Sequence, residues 1–513
     1  MADLFRALSA GWPGRLAAQL LAGLIFGSLA AVVWQARGLS ALGPWDWRAV
    51  WFTLWQAALS ASLSALCAIP VARALARRRF AGRGLLVTLL GAPFILPVIV
   101  AVMGLIAVFG RNGVVNSGLA MLGLPPVSIY GWQGVVLAHV FFNLPLAVRM
   151  LLQGWQAIPA ERIRLAQSLD FTPRDLARHL ERPMLRASLP GIWLAVFLVC
   201  LTSFAIALTL GGGPRATTVE LAIYQAFRLD FDLGRAAMLA LVQVGLCLAA
   251  LLIAARVAVP SGFGAGLDRR QSLPTPAGWH RLADAFVITL AAGFLILPMA
   301  LVLAQGVPRL PALPDHVWLA AGRSILMTLA STALAVALVL AIALAAPARR
   351  WIEVVGMLPM VVSSLVLGTG LYLIFRGVAS PAAMALPVTV LVNATMALPF
   401  SLRVLLPHVT TLNADYGRLA ESLDLRGWSR LRLLVLPRLR APLGFAAGLS
   451  AALAMGDLGV IALFAGPDQA TLPLVMYQLM GNYRTADAMA AAVLLTGLAF
   501  AIFWIFDRAG RHA

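Results

Sequence analysis

Two segments of the chain share the residue order Arg-Leu-Ala-x-Ser-Leu-Asp, at residues 164–170 and 418–424. Pro183 and Pro437 each follow thirteen residues after the aspartate, so the two copies lie 254 residues apart in one register. Arginine side chains in such segments can donate paired hydrogen bonds to carboxylates, which is the chemistry of recognising a protein partner. The histidines and carboxylates of the chain are not spaced as a catalytic triad or an acid pair.

Each copy is predicted to form a helix–turn–helix. Residues 160–169 favour a helix, and Asp170 suits the left-handed conformation that ends one. Thr172 and Pro173 then suit the cap and the first turn of a second helix. In the second copy, Asp424 takes the place of Asp170.

Small residues within these loops bear on how a partner would approach. Ala166 and Ala420 are expected to allow close approach of a partner's backbone, while the flanking arginines offer donors to its carboxylates. An amphipathic loop lying on anionic lipid is the alternative interpretation. Duplication in register favours docking to a partner with two-fold symmetry.

The composition indicates the surroundings of these loops. Apolar residues make up 61% of the 513 residues, charged residues make up 12%, and the mean hydropathy is +0.90. These values are typical of a polytopic membrane protein, in which about 20 apolar residues form each crossing helix. Twelve such stretches, six in each half, lie near residues 16–35, 50–72, 85–109, 131–152, 189–210, 236–256, 284–306, 324–346, 352–375, 382–405, 442–464 and 486–507.

The distribution of arginine predicts the orientation. The segment after the second span carries five arginines: Arg73, Arg77, Arg78, Arg79 and Arg83. The connections after the third and ninth spans carry only Arg111 and Arg376. Because short cytoplasmic loops are rich in basic residues, the repeated loops and both termini are expected in the cytoplasm. This topology also accounts for the formal charge of +19, so no nucleic-acid partner is expected.

Missing residue types exclude several functions. All 39 basic residues are arginine, so the chain cannot supply a phosphate-binding P-loop, and any ATP hydrolysis is expected from a partner. Cys67, Cys200 and Cys247 fall within predicted spans at no ligand-like spacing, so no metal site is expected. An intramembrane enzyme would lack a recognisable nucleophile. A secondary transporter would need ionisable residues within the membrane, for which His139 and Asp457 are the candidates.

A second element recurs near the end of each half, at residues 212–225 and 465–478, where Tyr224 corresponds to Tyr477. By topology it lies outside the membrane, where it would line an outer gate or touch an external partner. An interfacial helix with its tyrosine among lipid headgroups is the other interpretation. Asp457, in the eleventh span, is either a path-lining anion or an acceptor that holds a helix break.

The repeated loops resemble the EAA signature of type I ABC importer permeases, the loop that docks the ATPase. In the first copy the corresponding positions are Arg164, Leu165, Ala166, Asp170, Leu180 and Pro183, and in the second they are Arg418, Leu419, Ala420, Asp424, Leu434 and Pro437. Neither copy keeps the glutamate or the glycine of the signature. The resemblance implies an all-α fold of twelve transmembrane helices in two six-helix permease halves, fused in one chain.

Residues 210–225 and 456–464 are similar to the permeases of bacterial thiamine importers. This resemblance implies transport of thiamine and thiamine phosphates across the bacterial inner membrane. It also implies a cytoplasmic ATPase homodimer that binds the ATP, a periplasmic thiamine-binding protein, contact with membrane lipid, and no cofactor in this chain. Fused ferric-iron permeases are the nearest alternative.

On the same resemblance the chain is predicted to divide into five parts. These are an N-terminal helix with an external loop at 1–49, a first permease domain at 50–258, a cytoplasmic linker at 259–283, a linking helix with an external loop at 284–322, and a second permease domain at 323–508.

Overall fold

The structure is a computed structural model that describes residues 12–36, 42–91, 95–257, 278–378 and 380–512. That part of the chain consists of helices and their connections and contains no strand. Eleven described segments are long and apolar enough to cross a bilayer, and one bent helix pair would make a twelfth. The predicted all-α polytopic membrane fold is therefore confirmed. Most of the predicted linker at 259–283 lies outside the described residues, and the helix after it begins at Trp279.

In the first half the helices are α1 (Trp12–Ala36), α2 (Pro44–Arg77), α3 (Arg83–Leu89), α4 (Val98–Phe109), α5 (Val114–Met121), α6 (Trp132–Gln156), α7 (Ala160–Ser168), α8 (Pro173–Leu176), α9 (Arg182–Leu201), α10 (Ala205–Leu210), α11 (Val219–Arg228) and α12 (Leu233–Val257). In the second half they are α13 (Trp279–Gly306), α14 (Asp315–Ala345), α15 (Arg350–Met357), α16 (Ser364–Phe375), α17 (Pro381–Ser422), α18 (Gly427–Arg430), α19 (Leu436–Met455), α20 (Gly459–Phe464), α21 (Leu472–Gly481) and α22 (Thr485–His512).

The third and ninth predicted spans are not single straight helices. Residues 85–109 are predicted as one span, but α3 ends at Leu89 and α4 begins at Val98. In the second half, the segments Arg350–Met360 and Ser364–Phe375 meet at 96°. Pro97 and Pro359 lie at these two breaks, and proline removes a backbone donor that a continuous helix requires.

The fifth and eleventh predicted spans break at equivalent positions. α9 ends at Leu201 and α19 ends at Met455, which lie 254 residues apart, and the short helices α10 and α20 follow. The apolar stretches predicted at 189–210 and 442–464 are therefore each interrupted by a break, and the break in the second stretch lies at Asp457, where the sequence offers an acceptor to hold one. Polar residues occupy both breaks, and their side chains compete with the backbone for hydrogen bonds.

Each half packs its first helix against the other half. α1 contacts α14 and α16, while α13 contacts α2 and α4. Glycine permits both approaches, since a Cβ on Gly104 would lie 2.8 Å from the Pro298 carbonyl and a Cβ on Gly370 would lie 2.6 Å from the Ser28 carbonyl. Small residues at such crossings let helix backbones pack closely within a membrane. This exchange joins the two halves into one bundle.

Six crossing segments separate the two repeated loops when the bent pair is counted as one, so both loops lie at the same face of the bundle, the loop face. Each loop ends in a π-helical turn, at Ala177–Glu181 and Leu431–Val435. α9 and α19 then run 20 residues each, or about 30 Å, and bring the chain to the opposite face. The short helices α11 and α21 therefore lie at that opposite face.

Candidate functional site

The first repeated loop has the predicted turn. Asp170 adopts the left-handed conformation, with φ of 50°, and the Phe171 N–H donates to the Ala166 carbonyl at 3.0 Å. Thr172 caps α8, because its hydroxyl accepts from the Asp175 N–H at 3.4 Å. In return the Asp175 carboxylate accepts from the Thr172 N–H at 3.0 Å. This reciprocal pair fixes the start of α8 through local residues alone.

The second repeated loop has the same turn at its aspartate and differs after it, where Gly427 has a positive φ of 49° at the position of Pro173. Asp424 has φ of 49°, and the Leu425 N–H donates to the Ala420 carbonyl at 2.9 Å. Here an ion pair between Asp424 and Arg426 takes the place of the threonine cap. The predicted left-handed aspartates are thus confirmed in both copies, 254 residues apart.

Two leucines at the end of the first helix of each loop are exposed, and we call these four residues the loop leucines. Their exposed fractions are 58% for Leu165, 58% for Leu169, 50% for Leu419 and 61% for Leu423. Leucines spaced four residues apart lie on one side of a helix. Arg164 and Arg418 are exposed beside them. Each loop therefore presents an apolar patch flanked by a guanidinium group.

The alanines of the motif are buried. Ala166 is 3% exposed and Ala420 is 2% exposed, so both lie against their own chain. The expectation that these alanines admit a partner's backbone is not supported by their position.

The downstream positions of the motif are also placed by the structure. Leu180 and Leu434 are half-buried within the π-helical turns, and Pro183 and Pro437 are exposed near the starts of α9 and α19. Each π-helical turn runs directly into the helix that follows it, so each proline lies within a continuous helical segment and leaves a backbone carbonyl of the preceding turn without an N–H donor.

A buried ion pair anchors the first loop to the membrane helices. Glu181 accepts from Arg77 at 2.6 Å and from Arg73 at 2.8 Å, and the Glu181 and Arg77 side chains are nearly inaccessible. Sequence reasoning missed Glu181. The sequence did contain a signal for it. Glu181 directly follows Leu180, and Arg73 and Arg77 lie four residues apart at the end of the second span.

The second loop is anchored differently. Val435 stands where the first loop has Glu181, and it is 3% exposed. The polar contacts of this loop run to α17, where Arg430 donates to Asn413 at 3.0 Å and Arg438 lies 4.4 Å above the Tyr416 ring. One loop is thus held by a buried ion pair, and its repeat by a buried valine together with a hydrogen bond and a cation–π contact.

Asp457 lies in the break between α19 and α20. Its Oδ1 accepts from the Gly459 N–H at 3.2 Å, while its Oδ2 is inaccessible to solvent. A void of about 10 Å³ beside it is lined by polar residues, including Asn393 and Thr471. That volume suits about one water molecule and not an organic solute. The position agrees with an acceptor that holds the helix break.

The second repeated element forms short helices at the opposite face. Tyr224 on α11 and Tyr477 on α21 are both half-buried. The N–H of Val219, the first residue of α11, donates to the Thr53 hydroxyl at 2.9 Å. The N–H of Leu472, the first residue of α21, likewise donates to the Ser324 hydroxyl at 2.8 Å. We call α11 and α21 the gate helices, after the outer gate that the sequence predicts for this element.

An acid that sequence reasoning missed lies within the first gate helix. Glu220 is fully buried in the first turn of α11, beside Gln243 of α12 and Ser363 of the second half. The N-terminal end of a helix favours a carboxylate. Pro473 occupies the corresponding position of α21, so the two gate helices differ here.

Two helical halves with repeated loops on one face and repeated gate helices on the other define a polytopic membrane permease. Proteins named thiamine transport system permease protein ThiP are similar to the chain along nearly its whole length. The identity is 41% for that of Brucella abortus strain 2308, over 97% of this chain and 94% of the relative. It is 40% for that of Salmonella typhimurium, over 100% and 99%, and 38% for that of Escherichia coli K12, over 99% and 98%. No family model matches the chain. The chain belongs to the family of thiamine transport permeases, which are fused ABC permeases and channel subunits without enzymatic activity of their own.

Proposed function

We propose that this chain is the membrane permease of an ATP-driven importer that moves thiamine and thiamine phosphates across the bacterial inner membrane. The assignment of the substrate rests on one observation. About two residues in five are identical, over nearly the full length, to those of three bacterial permeases named for thiamine transport.

The loop face is proposed to lie in the cytoplasm with both termini. The two repeated loops and the end of α2 concentrate arginine there, and basic residues are retained on the cytoplasmic side of membrane proteins. The opposite face, with the gate helices, then meets the periplasm.

A cytoplasmic ATPase homodimer is the proposed partner of the two loops. Each ATPase subunit would receive one pair of loop leucines, and Arg164 or Arg418 would meet its carboxylates. The exposed leucines occupy corresponding positions in both repeats, which suits two identical binding sites on a partner. Contact with lipid would not require the leucines of the two repeats to occupy corresponding positions. Closure of the ATPase dimer would then rock the halves and alternate access to the path.

The proposed periplasmic partner is a thiamine-binding protein that delivers the substrate to the gate helices. Tyr224, Tyr477 and Asp457 are proposed to act at the gate, Asp457 by holding the break before α20. The chain itself is proposed to need no cofactor, since the ATP is bound by the partner.

Deletion of the chain in a strain unable to make thiamine tests the substrate. Growth on trace external thiamine should be lost and should return with the wild-type chain, while uptake of ferric iron should not change. Loss of ferric-iron uptake with thiamine growth intact would assign the chain to the iron importers instead.

A further inference from the structure

The two halves of the chain meet along a boundary that we call the seam. At the opposite face, aromatic side chains fill one side of this seam. The Phe227 ring of α11 lies 4.7 Å from the Tyr372 ring and 6.0 Å from the Phe464 ring, both in the second half. Next to it Arg228 donates to the Ala465 carbonyl at 3.1 Å. Ring contacts at these distances, with a hydrogen bond to the backbone, pack this side of the seam.

The other side of the seam contains a cavity of about 440 Å³ that is partly open to the exterior. The first half lines it with Tyr130 and Thr209, and the second half lines it with Tyr477, Gln478 and Asn482. Sites for small organic molecules typically have volumes of about 300–1,000 Å³. The cavity therefore has room for a two-ring solute and stands where a solute released at the gate helices would arrive.

The lining offers rings and neutral polar groups. Two phenol rings from opposite halves can contact a delocalised cation through their faces. Gln478 and Asn482 each supply an amide donor and an amide acceptor, which can pair with an aminopyrimidine. Thiamine combines a cationic thiazolium with an aminopyrimidine. We propose that this cavity is the first thiamine-binding site within the permease, with Tyr130 and Tyr477 against the thiazolium and the two amides against the pyrimidine; this rests on the function proposed above.

Replacing both rings tests the site in the complete complex with ATPase and binding protein in proteoliposomes. The double variant Tyr130→Leu with Tyr477→Leu should lower thiamine uptake about tenfold, since two weakened cation–π contacts together correspond to about that factor. The Tyr130→Phe with Tyr477→Phe variant keeps both rings and should stay within about twofold of wild type. Tyr483→Leu is the matched control, because Tyr483 is 92% exposed and does not line the cavity.

Stimulation of the ATPase by the loaded binding protein should persist in every variant, which separates substrate binding from assembly. If the double leucine variant fails to assemble, Tyr477→Leu alone provides the comparison. Unchanged uptake in an assembled leucine variant, or equal loss in the leucine and phenylalanine variants, would overturn the site. Absence of thiamine uptake by the wild-type complex would instead overturn the proposed function, and this site with it.

Protection from labelling gives a readout that does not depend on transport. Cys67 is the exposed cysteine of the described residues, so Cys67→Ser supplies the background. A maleimide should label Asn482→Cys in this background, and excess thiamine should slow the labelling at least twofold. An isostere in which carbon replaces the charged ring nitrogen should protect less. Equal protection by both compounds, or by neither, would contradict recognition of the cation.

Discussion

The N–H of Val219 donates to the Thr53 hydroxyl at 2.9 Å, and this bond ties the start of the first gate helix to the second span. In the second half the N–H of Leu472 donates to the Ser324 hydroxyl at 2.8 Å, which is the equivalent bond. The first N–H groups of a helix have no partner within the helix, so each gate helix depends on a hydroxyl from a neighbouring span. Because of these bonds, movement of α2 would carry the gate helix α11 with it, and movement of α14 would carry α21.

Replacing this acceptor should loosen the gate. Thr53→Val keeps the shape of the side chain but leaves the buried Val219 N–H without an acceptor, at a cost of about 1–3 kcal/mol. Thr53→Ser keeps the hydroxyl and serves as the control. We expect a lower melting temperature and higher ATPase activity without binding protein in Thr53→Val only. The same values in both variants would show that the hydroxyl does not hold the helix.

The loop leucines should determine recovery of the ATPase. Leu165→Asp combined with Leu419→Asp places a charge in each apolar patch, and burial of an exposed leucine is worth about 1.5–3 kcal/mol. Co-purification of the ATPase should fall at least about tenfold. Leu122→Asp is the control, because Leu122 is also exposed, at 74%, but lies at the opposite face. Full recovery of the ATPase with the double variant would exclude docking at these leucines.

Tryptophan at the motif alanines should instead damage folding of the loop. Ala166 and Ala420 are buried against their own chain, so Ala166→Trp or Ala420→Trp overpacks that contact, at a cost of about 1–3 kcal/mol or more. Folded permease recovered from membranes should decrease even when no ATPase is expressed. Normal yield with loss of the ATPase alone would restore the prediction that these alanines face the partner.

The buried ion pair should matter far more than the exposed one. Glu181→Gln leaves Arg77 buried without its counter-charge, at a cost of about 3–5 kcal/mol. Glu161→Gln removes an exposed pair with Arg164 at 3.3 Å and should cost less than about 1 kcal/mol. Melting of the two purified variants measures the difference. Equal melting temperatures would mean that Glu181 does not anchor the first loop.

Asp457 should tolerate loss of its charge but not loss of its acceptor. Asp457→Asn keeps an oxygen for the Gly459 N–H, whereas Asp457→Ala removes it. We expect near wild-type uptake for the asparagine variant and impaired assembly for the alanine variant. Loss of uptake in Asp457→Asn, with an intact complex and normal ATPase stimulation, would instead identify Asp457 as a path-lining anion.

Local chemistry made part of the fold and the loops predictable from the sequence. Asp170, Asp424 and the Thr172 cap depend on residues a few positions away, so their conformations followed from the motif. Apolar runs predicted the crossing segments because a membrane requires them.

Features that depend on distant parts of the chain were not predictable. The direction of Ala166 depends on what packs beneath α7, and the anchor at Glu181 joins residues more than a hundred positions apart. The 96° bend in the ninth span also needs neighbouring helices to receive the exposed backbone groups. The cavity at the seam involves two halves whose relative position no local pattern contains.

Uptake of labelled thiamine by the reconstituted complex, with and without ATP, tests the central claim most directly. With the ATPase, the loaded binding protein and ATP all present, thiamine should accumulate inside the vesicles, and omission of any one should abolish accumulation. Accumulation without ATP in response to an ion gradient, or no thiamine uptake by a complex that hydrolyses ATP and imports ferric iron, would contradict it.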